Sequence, residues 1–66
     1  MENMIKQIAK AMIKENNVEQ LVALSYNEPT TEGDAIVLKA AEKAEQWLFY
    51  SQMLPESVME DYIFGE

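Results

Sequence analysis

The chain contains no cysteine, no histidine and no arginine; its five basic residues are all lysine. Without cysteine there is no disulfide framework, no thiolate nucleophile and no sulfur ligand for a metal. Without histidine there is no imidazole base and no side chain that titrates unperturbed near neutrality. Without arginine there is no planar fork to clamp a phosphate. These absences remove most hydrolases, metalloproteins and phosphoryl-transfer enzymes, so the chain is expected to be no enzyme and to use no cofactor and no metal. No apolar run approaches the roughly 20 residues that span a bilayer. The opening Met1-Glu2-Asn3-Met4-Ile5-Lys6 lacks the charged and apolar regions of a secretion signal. The expected location is cytoplasmic, in the host cytoplasm if the chain is phage-encoded, with no membrane partner.

What is present is a short chain of folding composition. Its 66 residues are 48% hydrophobic and 26% charged, which is a profile for one small domain over residues 1–66 rather than for disorder. A domain of this size buries only about 60% of its unfolded surface. With no disulfide or metal to staple it, docking on a partner or self-association is a natural source of extra stability.

The hydrophobic pattern is helical throughout. Ile5, Ile8, Ala9 and Met12 recur at helical spacing and predict a helix over 4–15, with Lys6, Lys10 and Lys14 on an opposite stripe. Asn17 and Gln20 have capping-box spacing and open a second helix over 18–26. The segment from Asn27 to Gly33, punctuated by Pro29, reads as a loop. Thr31 and Asp34 repeat the capping spacing at the start of the main helix, expected over 32–53. On that helix Ile36, Val37, Ala40, Ala41, Ala44, Trp47 and Leu48 converge on one face. Leu38, Phe49 and Met53 fall outside it. Pro55 suits the first position of a last helix over 55–64, which Gly65 would end. The expected fold is therefore all-α, a bundle of three to four helices, with helix 4–15 packed on the Ala40/Ala44/Trp47 face.

Charge is the largest compositional anomaly. Twelve acids against five lysines give a net charge of −7. Residues 1–14 carry +2 and residues 15–66 carry −9. Such a balance excludes direct nucleic-acid binding, which needs a basic footprint. It fits either a solvated surface or an acidic face steered onto a basic protein groove, as in DNA mimics. The segment Glu28–Lys39 fails as a calcium loop because Lys39 would occupy the bidentate position. Glu42/Glu45 and Glu56/Glu60 have ligand spacing but no histidine partner.

No motif identifies a family. The expected function is a non-catalytic acidic protein-binding module, an inhibitor of phage or plasmid type that occupies a basic or nucleic-acid-binding surface of a larger protein. The candidate residues are Glu32, Asp34, Glu42, Glu45, Glu56, Glu60 and Asp61 for charge, with Phe49 and Met53 as apolar anchors. The alternative is an assembly protein acting as a helical homo-oligomer. If the helical pattern is right, circular dichroism gives a helix-dominated spectrum; a strand-dominated spectrum would contradict the whole assignment.

Overall fold

A computed structural model describes residues 2–65, which form four helices: α1 Glu2–Glu15, α2 Val18–Ser25, α3 Glu32–Tyr50 and α4 Glu56–Phe64. The all-α bundle expected from the sequence is the fold, and the reasons are local. Asn17 closes a full capping box: its side chain accepts the Gln20 N–H at 2.9 Å, and the Gln20 side chain accepts the Asn17 N–H at 2.9 Å. That reciprocal pair satisfies two donors that a helix start otherwise leaves open. Gly65 ends α4 in the left-handed region (φ 74°), where a residue without Cβ is unstrained.

Four boundaries differ from the sequence expectation, among them the end of α2, at Ser25 rather than Tyr26. Helix α1 already begins at Glu2. Helix α3 stops at Tyr50 rather than Met53, and the next residues turn, with the Met53 and Leu54 N–H groups both donating to the Tyr50 carbonyl at 2.9 Å. Pro55 explains the stop: it disfavours helical backbone at Leu54 and has no N–H to continue the ladder. Pro55 itself sits one position earlier than expected, as the N-cap of α4 with φ −68° and ψ 154°. The capping box at Thr31 is only half made. Thr31 Oγ1 accepts the Asp34 N–H at 3.0 Å, but the Asp34 carboxylate accepts from Thr30 instead. Aspartate lacks the methylene with which glutamate normally completes this motif.

Helix α3 is the spine. It packs most extensively on α1, then on α2, and least on α4. Among the described residues, the buried apolar side chains are Ala9, Leu21, Ala40, Ala41, Ala44, Met59 and Ile63. Four of these seven are alanines, so α1 and α3 meet through small side chains, with Ile5, Ile8, Met12, Ile13 and Leu48 closing over the seam. The backbone extends over 35 × 25 × 16 Å. The short dimension holds two packed helix layers and no more, since packed axes lie about 8–10 Å apart and each Cα cylinder is about 4.6 Å across. A slab this thin cannot enclose α3 on every side, and part of that helix stays in solvent.

Val37, expected in the core, shares the helical face of Ala40 and Ala44 but lies nearer the start of α3 and is exposed. Close packing at the alanines leaves no room for a larger side chain. Replacing Ala44 by Leu is expected to destabilise the fold by about 1–3 kcal/mol through overpacking, measured by urea unfolding. An unchanged midpoint would show that the seam is loose.

Candidate binding surface

The lysine stripe of α1 is not simply solvated. Lys6 Nζ and Lys10 Nζ lie 3.1 and 2.6 Å from the two carboxylate oxygens of Glu60 on α4. Lys6 also stands 5.6 Å from the Phe64 ring centroid, within cation–π range. From α3, Lys43 donates to the Ile63 carbonyl at 2.6 Å, supplying a cation to the negative end of α4. Three lysines thus hold a helix that packs only lightly on the spine. Trp47 meets Phe64 at 5.7 Å, and Tyr50 meets Tyr62 edge-on at 5.4 Å. The Tyr62 side chain raises the Tyr50 hydroxyl above its ordinary 10.0, first by hydrogen bonding, then by like charge and burial.

This arrangement places two of the candidate acids beside the lysines of α1. Glu60 is an internal latch. Glu56 shares a cleft with Lys10, Lys14, Ile13 and Trp47 on the α1 side. The remaining acids are distributed along the molecule. Glu32 is exposed in the first turn of α3. Asp34 is committed locally: hydrogen bonds from the Thr30 side chain and then its backbone N–H hold the carboxyl below its ordinary 3.8. Asp61 is exposed on α4.

One face gathers the others. At about 100° per residue, Asp34, Leu38, Glu42, Glu45 and Phe49 fall within an arc of about 80° on α3, on the side away from α1. Helix α2 runs antiparallel beside this arc, and two separate grooves flank it. At the start of α3, Leu24, Pro29, Val37 and Leu38 line a depression of about 200 Å³ with Glu28 and Asp34 in its wall. At the end of α3, Val18, Gln46, Phe49 and Tyr50 line a second of about 220 Å³, with Glu45 in its wall. Neither groove has a lysine among its lining residues. Phe49 is 59% exposed, although it makes an edge-on contact with Tyr50 at 5.2 Å. Met53, at 60%, lies in the turn beyond α3 and is also open. Helix α4 covers neither residue.

The sequence singled out Leu38, Phe49 and Glu45 but missed Val18, Leu24 and Val37, because periodicity alone marks those three as ordinary core positions. Their exposure follows from the thinness of the slab. Comparison of the chain with protein-family models, curated proteins and solved structures finds no match in any of the three.

The Glu60 latch has a pH signature. Hydrogen bonds from Lys10 and then Lys6 hold its carboxyl below the ordinary 4.5. A carboxyl depressed in the folded state stabilises the fold above the unfolded value, and that contribution is lost as pH falls through the folded value. Glu60→Gln should therefore lower stability at pH 7 by on the order of 1 kcal/mol. The difference from wild type should shrink as pH falls below 4.5. Urea midpoints of both chains across pH 3 to 7 measure this, and a constant difference would exclude the latch.

Proposed function

We propose that this chain is a non-catalytic module that binds a larger protein through the α2–α3 seam, with acids steering the encounter and Phe49 as the principal anchor. The observation that carries this reading is the open aromatic Phe49 beside the half-buried Glu45 carboxylate. An exposed large apolar side chain rimmed by one sign of charge is a common form of protein interaction site. The partner is correspondingly basic around an apolar centre, such as a nucleic-acid-binding surface. Like charge makes self-pairing through this seam unfavourable, because a second copy would bring its own Asp34, Glu42 and Glu45 against the first. The homo-oligomer reading therefore takes second place.

Rim charges mainly set association rate and salt dependence, whereas buried aromatics carry most of the affinity. The test is affinity capture from lysate of the source cell, with wild type and a Phe49→Ala/Met53→Ala variant, at low and high salt. The expected result is a protein held by wild type, released by high salt and absent from the variant. No captured protein, or one held equally by the variant and insensitive to salt, would refute the proposal. Both residues are exposed, so the variant should retain the wild-type unfolding free energy to within about 0.5 kcal/mol.

A further inference from the structure

We propose that the cleft where α1, α3 and the end of α4 meet binds a small organic carboxylate. Lys39 and Lys43 hold the anion, and Ile5 and Phe64 receive its apolar body. This site lies on a different face of α3 from the protein-binding surface around Phe49, and neither depends on the other.

Ile5 from α1, Lys39 and Lys43 from α3 and Phe64 from α4 line a cavity of about 140 Å³. The two grooves beside α2 and the cleft at Glu56 each have a carboxylate in the wall. This cavity has none among the described residues. Lys6 stands 5.6 Å from the centroid of the same Phe64 ring, so Lys6, Lys39 and Lys43 converge on one side chain. In a chain of net charge −7, this is a local reversal of sign. Lys39 and Lys43 are one helical turn apart, where like charges repel. An anion between them replaces that repulsion with attraction to both.

Both ammonium groups have donors to give. Lys39 is exposed and makes no ion pair, hydrogen bond or ring contact among the described residues. Lys43 is half-buried and donates to the Ile63 carbonyl at 2.6 Å. An ammonium carries three donors, so two remain. That one bond also holds the Lys43 side chain beside the cavity, so less rotamer freedom is left to lose on binding. Glu60 does not compete for this pair, because its two oxygens are already taken by Lys6 and Lys10.

Size and lining select the ligand. An apolar cavity of about 150 Å³ holds benzene, so one of about 140 Å³ admits a single ring or a short branched chain. Ile5 and Phe64 offer that body apolar contact, and both are only half-buried without it. Inorganic phosphate would leave this apolar surface uncovered, and the chain has no arginine fork to grip its oxygens. A neutral ring would leave the two ammonium groups unrelieved. A carboxylate on a ring-sized body satisfies both halves of the lining.

The test is titration of the isotopically labelled protein with benzoate, benzyl alcohol, acetate and inorganic phosphate at equal ionic strength, read by amide shifts. Benzoate is expected to shift Ile5, Lys39, Lys43 and Phe64 saturably, and to bind about fivefold or more tighter than each of the other three. Lys39→Gln should weaken benzoate about threefold or more, and Lys39→Arg should retain it. Lys39 is exposed, so neither change should disturb the fold. Benzyl alcohol binding as tightly as benzoate would overturn the role of the lysines. Acetate or phosphate binding as tightly would overturn the role of Ile5 and Phe64. Indifference to Lys39→Gln, or saturable shifts only at residues away from the cavity, would remove the site altogether while leaving partner capture through Phe49 unaffected.

Discussion

Close approach of α1 to α3 through alanine is the constraint on which the rest of this structure depends. Ala9, Ala40 and Ala44 have no exposed surface, so two helices come together with little side-chain bulk between them. The seam is economical in volume, and it has a geometric consequence. A core paved with small residues makes a thin slab rather than a rounded bundle, and the face of the spine turned away from α1 is only partly covered, by the eight-residue α2. Exposure of Phe49 along that face follows from the same alanines that bring α1 and α3 together.

The two ends of the charge distribution have different physical roles. On the α1 side the lysines are internal hardware: Lys6 and Lys10 grip Glu60, and Lys43 caps the carboxyl end of α4. Helix α4 buries Met59 and Ile63 but touches the spine less than any other helix, so its position depends on these polar ties. On the α2 side the acids near the grooves meet no cation among the described residues. They raise the negative potential over exposed apolar surface, which favours encounter with a basic partner and disfavours encounter with another copy. Under the proposed function, folding and recognition use different faces of one helix.

Much of the fold was legible because its signals are local. Helical spacing of Ile5, Ile8, Ala9 and Met12, the Asn17–Gln20 box, Pro55 and Gly65 each act through a few neighbouring residues, and each element lies within a few residues of its expected position. The candidate surface was legible in part. Leu38 and Phe49 stood out because they depart from the periodic stripe of α3. Val18, Leu24 and Val37 did not, since a periodic apolar residue is buried only if another element arrives to cover it, and that depends on how thick the assembled layer becomes. Glu60 and Glu56 were grouped with the surface acids for a related reason. The lysines that Glu60 pairs with, Lys6 and Lys10, and those that share a cleft with Glu56, Lys10 and Lys14, are more than forty residues distant in sequence, and that proximity is set by docking of α4.

Native-state hydrogen exchange by NMR tests the central claim, that the alanine seam between α1 and α3 carries the stability and α4 is only tied to it. Amides in the middle of α1 and α3, around Ala9 and Ala40–Ala44, are expected to exchange only through global unfolding. Those of α4 should exchange through a local opening of lower free energy that Glu60→Gln lowers further. Equal protection of α4 and the α1–α3 seam, or exchange at Ala40–Ala44 by an opening that leaves α4 intact, would contradict it.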